Sequence, residues 1–402
     1  MKTPYGHLTY CTNIHAGESW HEHFAALQQH VPKIKKSLSP DDPFGIGLRL
    51  SNAAALELQG NNLDTFKQWL AENDCYVFTM NGFPYGGFHH TKVKDKVHAP
   101  DWTTTDRLTY TVRLFQILSA LLPDGQEGGI STSPLTYRHW HEDQEKAFKS
   151  ATANIVQVAD ELLKIKNTTG QVLHLDIEPE PDGLLETGPE FIKWYEQYLV
   201  PAGILHFKKV SGFNESQAIE TLHEHIRLCY DVCHFAVGYE DHQAVVDELR
   251  RLRIKVGKIQ ISSALKAAMP DEQAKREAVK TSLEAFNEST YLHQVVALRD
   301  DGTFKRYPDL PEALMEVHDR TVTEWRSHFH VPLFVGGYGV LESTQPDIRE
   351  VLSIQQRRPF TAHLEVETYT WEVLPEQLKL PIADSIVREL QWVKQVMFNR
   401  HA

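Results

Sequence analysis

Eight times along the chain, a short apolar or alternating run is followed by a segment with helical spacing. No other feature of the sequence limits the fold as much. The runs are 8–15 (LTYCTNIH), 44–50 (FGIGLRL), 76–81 (YVFTMN), 128–133 (GGISTS), 172–178 (VLHLDIE), 226–231 (IRLCYD), 256–262 (VGKIQIS) and 362–368 (AHLEVET). After the first run, Trp20, Phe24, Leu27, Val31, Ile34 and Leu38 fall on one helical face. Helical patterns also cover Leu63–Leu70, about 105–122, about 143–166, about 189–208 and the closing segment through Ile386, Leu390 and Val393. Strands alternating with helices imply parallel strands joined by right-handed crossovers. Eight such units predict a closed (β/α)8 TIM barrel, an α/β fold, over an open sheet. The glycine-rich phosphate loops of nucleotide-binding α/β folds are absent from the sequence.

The chain of 402 residues is long for one ordinary domain but fits a single TIM-barrel domain, 1–402, with an insertion before the last strand. Residues 264–359 exceed one crossover, so this stretch is expected to be helix plus insertion. It holds two further apolar runs, 293–298 (HQVVAL) and 330–335 (HVPLFV).

Strand parity sharpens the expectation. Side chains alternate between the two faces of a strand. In 172–178, His174, Asp176 and Glu178 share one face, against Leu173, Leu175 and Ile177 on the other. In 362–368, His363, Glu365 and Glu367 oppose Leu364 and Val366. The apolar face must pack on the helices, so the polar face points into the barrel. The same parity sends Asn13, His15, Arg49, Asn81, Ser131, Ser133, Asp231, Lys258, Gln260 and Ser262 inward.

So polar an interior is costly unless its charges are paired or bind an ion. Lys258 and Arg49 can offset the deeper acids Asp176 and Glu365. Glu178, Asp231 and Glu367 end three strands and meet at one rim, the end where such barrels build their sites. A single buried carboxylate is as readily a salt-bridged core residue. Three together repel, and a divalent cation is the simplest compensation. His234 follows Asp231 by three residues. His89, His90, His293, His328 and His330 lie on loops with access to the rim, and 83–88 forms an aromatic, glycine-bearing loop suited to a lid.

A net charge of -13 argues against a nucleic-acid partner and against docking on anionic membranes. No apolar run reaches bilayer length, and the first residues lack the apolar core of a signal peptide, so no direct membrane insertion is expected. Cys11, Cys75, Cys229 and Cys233 show no disulfide or zinc-ribbon spacing. They are expected to be buried thiols in a reducing compartment, and the protein to be cytoplasmic.

The Asp231-Val232-Cys233-His234 strand end, the Glu178 strand end and the closing Glu367-Thr368 resemble the xylose isomerase-like TIM barrels. That superfamily includes sugar isomerases and epimerases and the endonuclease IV group. The stretches FGIGLRLS, NGFPYG, LDIEPEPDG, YLHQVVA and HLEVETYTWEVLP further resemble the E protein (EboE) family of the ebo cluster, a metabolite-traffic family. The narrower resemblance implies a barrel and a genetic context with a membrane prenyltransferase-like partner. The superfamily implies Glu178, Asp231 and Glu367 as metal ligands with His234 beside them. Gln260 stands where superfamily members commonly carry a His, and His293 is expected near a further ligand position. Fewer imidazoles favour Mn²⁺ or Mg²⁺ over Zn²⁺, with Zn²⁺ still possible.

The expected activity is isomerisation or epimerisation of a sugar, polyol or hydroxy-ketone on a divalent metal held by Glu178, Asp231, Gln260 and Glu367. Glu178, Glu367 and His234 are the expected catalytic groups. His15, Arg49, Asn81, Lys258 and His293 are the expected substrate contacts. Two alternatives stay open: metal-assisted hydrolysis of a phosphate ester, and non-catalytic binding and transfer of a metabolite to a membrane partner.

Overall fold

The computed structural model of the protein describes residues 1–89, 91–376 and 379–398. His90, one of the rim candidates, lies outside the described residues.

Eight strands build the barrel: β1 Gly6–Tyr10, β2 Phe44–Arg49, β3 Cys75–Asn81, β4 Gly128–Thr132, β5 Leu173–Ile177, β6 Ile226–Asp231, β7 Val256–Ile261 and β8 His363–Val366. From β2 to β8 each strand pairs in parallel with the next, and β8 pairs with β1. A parallel bridge between Cys11 and Gly47 closes the ring between β1 and β2. Thr9 reinforces this seam: its hydroxyl donates to the Gly45 carbonyl at 2.7 Å and accepts from the Gly47 N–H at 3.1 Å. The eight-unit rhythm of the sequence is therefore a (β/α)8 barrel. The first run is shorter than expected, because a 3-10 turn, Thr12–Ile14, takes over after β1. Among the described residues, no helix is long and apolar enough to cross a membrane.

The parity argument describes the interior. Leu173, Leu175 and Ile177, and Leu364 and Val366 opposite, pack outward into the main apolar core with the helices. The inward faces stack polar pairs along the axis. Lys258 Nζ lies 2.5 Å from Glu365 Oε2, both fully buried. Burial alone would lower the Lys258 ammonium, but Glu365 outweighs it and holds the pKa above its ordinary value. Gly47 makes this pair possible, since a Cβ there would stand 1.8 Å from Glu365 Oε1.

The insertion occupies 264–344, shorter than expected, because the helix Gln345–Arg357 belongs to the seventh β/α unit. It folds as six antiparallel strands in the order Phe304–Tyr307, Val295–Arg299, Val322–Ser327, Leu265–Ala268, Leu341–Ser343 and Gly337–Tyr338. It has its own apolar core around Leu265, Val295, Ala297, Trp325 and Leu341. The 293–298 run becomes a strand, whereas 330–335 carries none. The latter run turns back to the barrel instead, where the Val331 N–H donates to the Ser263 carbonyl at 3.0 Å. The insertion thereby delivers residues 328–330 to the carboxyl-terminal rim.

Candidate metal centre

Three carboxylates meet at the carboxyl ends of β5, β6 and β8. Ligating oxygens of Glu178, Asp231 and Glu367 all lie within 4.8 Å of one another, and all three residues are buried. Each has one oxygen fixed or one left over. Asp231 Oδ1 caps the helix Val232–Val237, accepting from the Cys233 N–H at 2.8 Å and the His234 N–H at 3.3 Å. The Ser262 hydroxyl also donates to it at 2.5 Å. This cap turns the chain sharply after β6 and aims His234 back over the rim. Glu367 Oε1 accepts two side-chain amides, Asn13 Nδ2 at 2.8 Å and Asn81 Nδ2 at 3.0 Å. Among the described residues, Asp231 Oδ2 and Glu178 Oε2 are buried without a hydrogen-bond partner.

Three imidazoles face the same space. His234 Nδ1 lies 3.0 Å from the Pro179 carbonyl, and His330 Nδ1 lies 3.1 Å from the Glu367 carbonyl. His328 Nδ1 lies 2.9 Å from Gln294 Oε1. Gln294 is oriented by its own amide, which donates to the Pro181 carbonyl at 3.0 Å, so its oxygen faces the ring. Each acceptor demands a proton on Nδ1, and each ring then presents an Nε2 lone pair. Burial, foremost, keeps all three rings neutral by lowering their pKa values, His330 to about 4. The Nε2 atoms of His234 and His328 are 3.1 Å apart, and His330 Nε2 is buried without a partner among the described residues. Asp231, His234 and His330 form one close ligand group, and Glu180, His234 and His328 form another. A far-side carbonyl that fixes the tautomer is the usual support of a metal-binding histidine.

The carboxylates show the same strain. Burial raises Glu178 well above its ordinary value, and Glu367, Asp231 and Glu180 add repulsion. Burial followed by Asp231 and Glu365 raises Glu367, and burial followed by Asp231 and Glu367 raises Glu180. At Asp231, burial also pushes upward, and it takes positive charge on His234 or His330, with the Ser262 hydroxyl and the His234 N–H, to pull the group below its ordinary value. Without added positive charge the cluster keeps only part of its ionisation. Partnerless oxygens, aligned lone pairs and mutual repulsion all fit a divalent cation.

The cavity above these groups measures about 60 Å³. It has room for a few waters or a few ligand atoms. Glu178, Glu367, Asn81 and His234 line it as the sequence predicts, together with Asn13, Glu180, His98, Gln294, His328 and Tyr369. Phe83 and Phe88 of the aromatic loop close one side.

Other expected contacts are placed elsewhere. His15 lies against Tyr10, its Nε2 3.0 Å from the hydroxyl, and stacks on His30. The guanidinium of Arg49 donates to the Gly17, Pro84 and Gly86 carbonyls, so it struts the aromatic loop from beneath. Lys258 is spent on Glu365. His293 sits between the His328 carbonyl and Glu288, its Nε2 2.7 Å from the Glu288 carboxylate. None of these four lines the cavity. Gln260 does not line it either, and its Oε1 accepts the Cys229 thiol at 2.6 Å.

Glu180, His98, Gln294 and Tyr369, which strand parity does not single out, enter instead. Glu180 is buried, and its Oε1 lies 3.3 Å from His98 Nε2. The hint for Glu180 was its place in Glu178-Pro179-Glu180-Pro181. His98 had none, since it comes from the long segment after β3.

No family model matches the chain, and no curated protein matches it. Solved structures resemble it at low identity. The IOLI protein with a binding zinc atom is 11% identical over 98% of this chain and 99% of that one, with a TM-score of 0.49. A xylose isomerase-like TIM barrel protein from Mycobacterium smegmatis in complex with magnesium is 9% identical over 92% and 87%, with a TM-score of 0.47. The probable 3-DHS dehydratase AsbF from Bacillus anthracis is 12% identical over 98% and 99%, with a TM-score of 0.44. The barrel itself rests on the strand order and ring closure of this chain.

Proposed function

We propose that the protein is a metal-dependent enzyme that moves a proton on a small metabolite with adjacent oxygens, a sugar, polyol or hydroxy-ketone, in an isomerase- or epimerase-type reaction. The observation that carries this reading is the set of three Nε2 lone pairs, on His234, His328 and His330, at three buried carboxylates, of which Glu178 and Asp231 each keep an oxygen without a hydrogen-bond partner among the described residues. In this reading Glu178, Asp231, Glu367 and His330 hold the ion, with His234 and His328 beside them. A divalent ion bound there supplies Lewis-acid polarisation of a carbonyl oxygen. The imidazoles gained from the insertion bring Zn²⁺ level with Mn²⁺, and above Mg²⁺, which prefers oxygen donors.

The chain's own groups do the rest. Asn13 and Asn81 hold the Glu367 carboxylate in place. Glu180 lines the cavity, and its high proton affinity suits it to exchange a proton with a substrate carbon, with His98 beside it. Phe83 and Phe88 exclude water. The resemblance to the ebo family supports a place in a metabolite-traffic pathway with a membrane prenyltransferase-like partner, in the cytoplasm.

A second reading, metal-assisted hydrolysis of a phosphate ester, draws on one feature. The ligand groups share Asp231 and His234, as adjoining ion positions do.

Metal analysis of the purified protein after exposure to Zn²⁺, Mn²⁺ and Mg²⁺, followed by solvent-deuterium exchange into candidate sugars, tests the proposal. A bound ion with deuterium incorporation that is lost in Glu180→Gln supports it. A protein that binds no divalent ion sinks it. Phosphate release without exchange moves the assignment to the second reading. Metal binding with neither reaction would leave a carrier of metabolites.

A further inference from the structure

The opposite end of the barrel carries a second cluster of the same chemical kind. Glu127 immediately precedes β4, His174 is the second residue of β5, and His363 opens β8. They therefore converge on the amino-terminal floor, away from the rim cavity. Their ligating atoms all lie within 4.8 Å of one another.

Three details separate this cluster from an ordinary ion-pair network. His174 is fully buried, and its Nδ1 lies 2.6 Å from Asp176 Oδ1. When the ring donates this bond, Nε2 presents a lone pair, and among the described residues that nitrogen has no hydrogen-bond partner. The carboxylate–imidazole pair with a free outer nitrogen is the arrangement that orients a metal-binding histidine. His363 is 1% exposed and likewise has a buried ring nitrogen, Nδ1, without a partner among the described residues. Finally, the backbone makes room for the supporting pair. A Cβ at Gly257 would stand 1.8 Å from Asp176 Oδ1, and one at Gly129 would stand 2.2 Å from His174 Cε1.

We infer that Glu127, His174 and His363 form a second divalent-metal site, suited to Zn²⁺, at the floor of the barrel. Two imidazoles and one carboxylate are a common zinc donor set, with water free to take a fourth position. Arg227 donates to Glu127 Oε2 at 3.1 Å and occupies one oxygen of that carboxylate, which leaves the other for the ion. The side chain of Glu127 is 35% exposed and gives the ion a path from solvent. The ion joins β4, β5 and β8 across the axis and acts as a structural clamp. It is independent of the rim chemistry.

The test uses the full chain carrying Asp231→Asn and His328→Asn, which takes one ligand from each of the rim groups. Zn²⁺ stoichiometry is measured by elemental analysis after dialysis, and coordination by the visible absorption of Co²⁺ in its place. The expected result is one ion per chain with a tetrahedral Co²⁺ spectrum, abolished by His174→Gln. Glu127→Gln, on a partly exposed side chain, is expected to keep the fold and weaken binding by at least about tenfold. A rim-disabled protein that retains no Zn²⁺ overturns the site. So does Zn²⁺ binding that Glu127→Gln and His174→Gln both leave unchanged. If His174→Gln fails to fold, Glu127→Gln decides alone.

Discussion

His234 Nε2 and His328 Nε2 lie 3.1 Å apart, and each ring has its other nitrogen on an oxygen acceptor that fixes the proton there. Two neutral rings in this tautomer turn their lone pairs on each other, which is unfavourable in a buried site. A cation between or beside them reverses the sign of the interaction. His328 comes from the insertion and His234 from the turn after β6, so an ion here would also tie the insertion to the barrel.

Substituting the insertion's histidines should therefore cost metal rather than fold. His330→Asn and His328→Asn are expected to lower divalent-ion affinity by at least about tenfold. Chelator competition measures the affinity, and circular dichroism should show the helix and strand content unchanged. Gln260→Met is expected to leave the stoichiometry as it was, because the Gln260 oxygen already accepts the Cys229 thiol.

The two amides on Glu367 define a supporting role. Asn81→Leu removes one of the donors to Oε1 and frees the carboxylate to rotate. A loss of about 10–100-fold in metal affinity is expected, the usual cost of removing an outer-shell contact. Titration calorimetry with Zn²⁺ or Mn²⁺ reads this directly. An unchanged affinity would mean that Asn13 alone suffices.

Inside the barrel, the Lys258–Glu365 pair is fully buried. Lys258→Met strips one partner from a dry carboxylate and should destabilise the protein by about 3–5 kcal/mol. Adding Glu365→Gln removes the stranded charge and should recover much of that loss. Urea unfolding of the two variants supplies the comparison, and equal stabilities would argue that water reaches the pair.

Glu240 gives a pH dependence away from the rim carboxylates. Burial, with help from Glu190 and Glu186 and against the Gly188 N–H, raises its pKa to about 8. The folded state therefore holds a proton that the unfolded chain has released between the ordinary carboxyl range and about pH 8. Its contribution to stability is full below that range and is lost as pH rises towards about 8, by at most about 1.4 kcal/mol per pH unit. Glu240→Gln should remove this slope, so its melting temperature should gain on the parent's between pH 5 and 8. Parallel curves across that range would contradict the assignment.

Strand periodicity and parity in the sequence already determine the barrel and its three rim carboxylates. A strand has a two-residue repeat, and an apolar face has only the surrounding helices to pack on. Glu178, Asp231 and Glu367 follow from that rule alone. Parity gives the face of a residue but not its use. Lys258 shares a face with Gln260 and Ser262, yet it lies about 13 Å below the Ser262 level at the rise of a strand. There it meets Glu365 and no substrate. Arg49 faces inward and is consumed by loop carbonyls. His328, His330, His98 and Glu180 obey no strand rule, because loops and an 81-residue insertion, 264–344, carry them in. Where such segments land depends on contacts between residues far apart in sequence. The tertiary structure alone therefore decided which imidazoles stand over the carboxylates, and which nitrogen each one offers.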